Sequence, residues 1–69
     1  MNIRQSAAKV RSILKTNGVN PKGLVRVRNH DFFAELTVDL RGIYGDTKFD
    51  IEDAINDIED DGTFDWNVE

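Results

Sequence analysis

The chain predicts an α+β fold, a two-layer sandwich built as helix, β-hairpin, helix and a short third C-terminal strand. Three observations carry this reading. Ile3, Ala7, Val10 and Leu14 recur at helical spacing; the runs LVRVR and FAELTVDL alternate apolar and polar residues; Ile51, Ala54, Ile55 and Ile58 restore helical spacing further on. Each helix then has one apolar stripe, and an antiparallel sheet can bury one face against both while wetting the other. The 69 residues make one domain spanning 1–69, of a size that buries only about 60% of the surface its unfolded chain exposes. There is no cysteine, so neither a disulfide nor a thiolate metal site can staple it.

The first helix is expected over residues 2–17. Asn2 is placed to cap it, with Gln5 in the capping-box position, and Gly18 follows the last periodic residue, where a left-handed cap favours glycine. GVNPKG is short enough to be a loop inside one domain. Leu24–Arg28 and Phe33–Leu40 follow as strands, and Asn29–Phe32 supplies turn residues between them, which gives an antiparallel hairpin. Arg26 and Arg28 would face Glu35, Thr37 and Asp39 across the ladder, so these arginines are candidates to neutralise those acids. After RGIYGD, the second helix is expected from Lys48 to about Asp60, capped by Asp46 or Thr47 and ended by Gly62. TFDWNV, alternating Phe64 and Trp66 with polar residues, reads as a short third strand or an extended segment against the sheet.

The formal net charge of −4 hides a division. Residues 1–38 hold seven Lys or Arg and two acids, a net of +5; residues 39–69 hold two and eleven, a net of −9. The opening MNIRQSAAKVRSILK has no apolar run suited to a signal peptide or a membrane span, so the cytoplasm is the default location.

Catalytic chemistry finds little support. His30, the single histidine, falls in the hairpin turn, and Ser6 and Ser12 lie on the first helix with no histidine in local register. GIYG and GVNPKG lack the strand–glycine turn–helix context of a phosphate cradle. Asp57, Glu59, Asp61, Gly62 and Asp65 follow part of a calcium-loop pattern, but Val68 stands where the bidentate glutamate belongs, and Asp57 and Glu59 are expected to be helical. No enzyme activity, cofactor or metal is expected.

Two binding surfaces remain. Arg4, Arg11 and Lys15 on the first helix, with Arg26 and Arg28 on the hairpin, could contact nucleic acid, although no aromatic falls among those positions in the sequence. Phe32, Phe33, Phe49, Phe64 and Trp66 are expected in the core or a contact patch. The acidic run Asp50–Asp61 holds seven acids in twelve residues and no Lys or Arg. It is either a solvated face or a recognition surface made of Asp50, Glu52, Asp53, Asp57, Glu59, Asp60 and Asp61. On a continuous helix that is one charge per ~2.6 Å of axis, against one per ~1.7 Å for duplex DNA.

AAKVRSILK, VRVR, FAELTVDLRG and TKFDIEDAINDIEDDGTFDWNVE together resemble the large polyvalent protein-associated domains of phages and conjugative plasmids, over about Ala7 to Trp66. Where that family carries a Trp-Asp-Gly-Pro-like turn, this chain has Leu40-Arg41-Gly42-Ile43-Tyr44-Gly45. The resemblance implies a mobile-element origin and a setting in which small acidic proteins disable host defences of the CRISPR or restriction type. The resulting expectation is a non-enzymatic inhibitor that presents a DNA-mimicking acidic helix to a basic groove of a host protein or nucleoprotein complex. The alternative is a small nucleic-acid-binding module. A third possibility is an accessory that dimerises through Tyr44, Phe64 or Trp66, so monomer and homodimer both remain open.

Overall fold

In the computed structural model, which covers residues 1–69, the elements run α1 (Ile3–Thr16), β1 (Val25–Asn29), β2 (Ala34–Val38), α2 (Gly45–Asn56) and β3 (Asp65–Val68). This is the expected α+β arrangement. Local signals fix α1 at both ends. The Asn2 side chain accepts from the Gln5 amide at 2.8 Å, and the Gln5 side chain accepts from the Asn2 amide at 3.0 Å. At the other end Gly18 takes φ 77°, and the amides of Gly18 and Val19 donate to the carbonyls of Lys15 and Leu14. That pair of bonds is a Schellman motif, which satisfies carbonyls the helix itself leaves free.

β1 and β2 pair antiparallel in the register Val25↔Val38, Arg26↔Thr37, Val27↔Leu36 and Arg28↔Glu35. The third strand departs from an all-antiparallel sheet: β3 runs parallel to β2, with Leu36↔Trp66 and Val38↔Val68, in the order β1-β2-β3. Parallel pairing needs a crossover, and α2 supplies it.

Because facing residues share a side of the sheet, Val25, Leu36, Val38 and Trp66 point to the helix layer. There they join Ala7, Val10, Leu14, Leu40, Ile51, Ile55 and Phe64 in one core. Arg26, Arg28, Glu35, Thr37, Asp65 and Asn67 occupy the other, open side. Ser6 is fully buried in α1, and its hydroxyl has no hydrogen-bond partner.

The second helix is displaced from its expected span, beginning at Gly45 rather than Lys48 and ending at Asn56 rather than near Asp60. At its start Tyr44 is extended and makes no side-chain cap, while Gly45 takes φ 71°, so neither Asp46 nor Thr47 serves as the cap. At its end three effects oppose continuation. Carboxylates at a helix C-terminus meet the negative end of the macrodipole. Asp60 and Asp61 turn their side chains onto the amides of Gly62 and Thr63, at 2.9 and 3.1 Å. The Met1 main chain also straps the segment, its nitrogen donating to the Glu59 carbonyl at 2.7 Å and its carbonyl accepting from the Asp61 amide at 2.8 Å. No helix is long and apolar enough to cross a membrane.

Candidate functional site

The shortened α2 redistributes the seven carboxylates expected to act together. At 100° per residue, Asp46, Asp50, Asp53 and Asp57 stand at i, i+4, i+7 and i+11, within an arc of about 60° that faces away from Ile51 and Ile55. Asp50, Asp53 and Asp57 belong to the predicted set; Asp46 does not. Its expected role is a cap, yet its spacing from Asp50 is a signal present in the sequence. Glu52 is half-buried and lies about 100° or more around the helix from the other three. Glu59, Asp60 and Asp61 lie beyond the helix.

Two of these last carboxylates are committed internally. Asp60 accepts from the Gly62 amide and from the Trp66 indole nitrogen at 3.2 Å. Asp61 accepts from the Thr63 hydroxyl and amide, and those bonds hold its carboxyl below the usual carboxylate range. The helical argument against a calcium loop does not survive, because Glu59 is not helical. What still opposes such a loop is Val68, which stands where the bidentate glutamate belongs.

The acids of the stripe have no cation within ion-pair distance, although Lys9 shares a shallow concavity with Asp57. The chain's ion pairs are Arg41–Asp39 at 3.0 Å and Arg41–Glu69 at 3.5 Å, His30 Nε2 lies 3.7 Å from Glu35 Oε1, and none of these contacts involves α2. Phe49 stands about 40° around the helix from Asp53 and is 65% exposed. An exposed aromatic ring thus flanks four unpaired carboxylates. Phe64 joins the core and Trp66 packs partly against it, whereas Phe32, Phe33, Phe49 and Tyr44 are exposed.

The basic set divides. Arg4, Arg11 and Lys15 are exposed on α1, on the helix side of the sheet, whereas Arg26 and Arg28 project from the open side. Arg11 and Lys15 share a shallow concavity with Lys22, while Arg26 and Arg28 line another of about 120 Å³ with Thr37, Asp39, Arg41 and Glu69. The expected neutralisation of Arg26 and Arg28 by hairpin acids is also revised. Asp39 is held by Arg41 through two side-chain bonds of 3.0 and 3.1 Å and one from the Arg41 amide. Those bonds, with a smaller contribution from the Arg26 charge, push the Asp39 carboxyl down to about 2, while the side-chain bonds to Asp39 and the charges of Asp39 and Glu69 push the Arg41 guanidinium up. Glu35 accepts from the Thr37 hydroxyl at 3.2 Å and faces His30, so Arg26 and Arg28 keep no carboxylate partner within ion-pair distance.

The open side also holds aromatics that the linear sequence concealed. His30 and Phe33 close the hairpin through the His30 amide and Phe33 carbonyl at 2.8 Å, and their rings stack at 4.3 Å with an interplanar angle of 18°. Counting alternation outward from Arg28 and Glu35 places this stacked pair on the arginine side. No protein-family model, curated protein or solved structure matches the chain.

Proposed function

We propose that this chain is a non-catalytic interaction protein that sets the acidic stripe of α2, with Phe49 beside it, against a basic surface of a partner that handles nucleic acid. The observation that carries the reading is the alignment of Asp46, Asp50, Asp53 and Asp57 with no cation within ion-pair distance, Lys9 beside Asp57 being the one lysine that shares a concavity with them. Solubility is served as well by mixed charges, whereas like charges three and four apart cost a few tenths of a kcal/mol per pair. An uninterrupted stripe is the arrangement that long-range attraction to a basic partner favours.

The geometry narrows the mimicry expected from sequence. Four carboxylates over twelve residues stand about 5.5 Å apart along the axis, sparser than the ~3.4 Å per charge of one DNA strand. The stripe therefore matches a polynucleotide in sign and linearity, and its partner should present about one cation per helical turn. An aromatic pocket for Phe49 would add the apolar anchor that charge alone lacks. In the phage or plasmid setting implied by the family resemblance, such a protein inhibits a host defence complex of the CRISPR type by occupying its nucleic-acid groove.

The test is competition. The purified protein should displace nucleic acid from the target complex in a salt-dependent way, and Asp50, Asp53 and Asp57 changed together to Lys should abolish displacement while circular dichroism stays unchanged. Displacement by the reversed protein would refute the reading.

A second reading has its own support. The His30–Phe33 pair shares the open sheet side with the unpaired Arg26 and Arg28, which joins a stacking platform to phosphate-seeking groups. Glu35, Asp39, Asp65 and Glu69 oppose it from the same side. A mobility shift of single-stranded nucleic acid by the isolated protein, lost in Phe33→Ala, would favour this second surface.

A further inference from the structure

β3 is an edge strand. Its Glu69 neighbour donates to the Val38 carbonyl at 2.8 Å and accepts from the Leu40 amide at 3.0 Å, so alternate residues at this end of the chain face β2. By the same alternation, the amides and carbonyls of Trp66 and Val68 point away from the sheet toward the free edge. Beside that edge lies a cleft of about 280 Å³ lined by Ile55, Asn56, Ile58, Asp60, Trp66 and Val68.

α2 forms one wall of the cleft through Ile55 and Asn56, but none of its Cα atoms comes within 8 Å of β3. The apolar side of β3 is consequently left half-covered, and Val68 is 44% exposed. β3 is blunted only by its length of four residues and by Asp65, and it has no lysine or proline along its free edge.

The electrostatics select the occupant. No Lys or Arg lines the cleft and Asp60 stands in its wall, while the neighbouring concavity sets Asp57 and Glu59 beside Ile58 with a single lysine, Lys9, and the Met1 terminus. A second copy pairing β3 with β3 would bring these carboxylates together, which opposes self-association.

We propose that the β3 edge takes up an extended basic segment of the partner as a fourth strand, its alternate apolar side chains entering the cleft and its Lys or Arg residues meeting Asp57 and Asp60. The main chain of Trp66 and Val68 supplies the ladder, and the cleft supplies selection for alternating side chains, as in other cases of strand addition. This rests on the reading that the acidic side of the molecule meets a basic partner, and it names the form that partner takes.

A capped hexapeptide alternating valine and lysine, added to isotope-labelled protein and followed by NMR, tests it. Shifts at the Trp66 and Val68 amides and the Ile55 and Ile58 methyls are expected, together with slower exchange of those two amides. A valine–glutamate peptide and a serine–lysine peptide should each bind at least tenfold more weakly. Val68→Pro removes one outward donor without touching the bonds to β2, and should weaken binding by a similar factor while the Asn67 and Glu69 amides keep their positions. Shifts confined to Asp46–Asp57 would overturn strand addition and leave the acidic-helix reading standing. Silence up to millimolar peptide would overturn it too, as would β3 protection that rises with protein concentration alone, because a second copy would then fill the edge.

Discussion

Removing the charge of Asp53 should stabilise the protein, and the structure sets the size of the effect. Asp53 lies three residues after Asp50 and four before Asp57, with no cation within ion-pair distance of any of them. Like-charge pairs at these spacings cost about 0.2–0.5 kcal/mol each, so Asp53→Asn, which removes two, should gain about 0.4–1 kcal/mol. Asparagine and aspartate have similar helix propensity, so the backbone contributes little to the difference. For a chain of this length the gain corresponds to a rise in Tm of about 2–8 °C. Urea unfolding at low and at 1 M salt is the appropriate assay, because a Debye length near 3 Å at 1 M should erase most of the gain. The same substitution should weaken binding to a basic partner, so stability and affinity would move in opposite directions. A destabilised variant, or a gain indifferent to salt, would refute the reasoning, because it would mean that Asp53 already has a partner in solution.

Ser6→Ala should stabilise by about 1 kcal/mol or more, since it removes a buried hydroxyl that bonds to nothing and improves helix propensity; a loss in thermal unfolding would reveal a partner for that hydroxyl. The Asp39 carboxyl, lowered by the Arg41 side-chain and amide bonds, favours the folded state fully above the ordinary carboxylate range, and that contribution is lost as pH falls toward about 2. In Arg41→Gln the Asp39 titration followed by carbon NMR should return toward the ordinary range, and an unmoved titration would assign the shift to another group.

How far the sequence discloses this structure depends on how local each determinant is. The limits of α1 are legible because Asn2, Gln5 and Gly18 act on backbone groups within a few residues. The hairpin is legible through alternation, and alternation counted through its turn would also have placed His30 and Phe33 beside Arg28. The span of α2 is misread because its end depends on Met1, far away in sequence, and on the choice of Asp60 and Asp61 to bond forward to Gly62 and Thr63. The direction of β3 is not legible at all, since TFDWNV alternates identically whether it joins β2 parallel or β1 antiparallel. The apolar cleft depends on that pairing and on where α2 lies, so it too lies outside what spacing can reveal. The acidic stripe was half legible: the repeat from Asp46 to Asp57 is present in the sequence, but the run of acids after it concealed where the helix stops.

The direction of β3 matters beyond the count of strands. The chain divides into a basic first half and an acidic second half, but a division along the sequence need not survive folding. Had the last strand joined the free edge of β1, Asp65 would flank Arg26 and Arg28, and the two halves would cancel across adjacent strands. By joining β2 instead, it places β1 and β3 at opposite edges, in the order β1-β2-β3. The crossover then carries α2, with its four unpaired carboxylates, in the connection to the acidic edge. Sheet order thus keeps part of the sequence gradient as a separation in space, although Asp39 and Glu69 still share a concavity with Arg26 and Arg28, and Lys9 shares one with Asp57. An uneven charge pattern of this kind can steer a basic partner before any contact forms. The open edge and the apolar cleft lie beside Asp60, whereas the α2 stripe faces away from Ile55 in the cleft wall, so a basic partner attracted over distance by the stripe would meet the edge as a second, separate surface.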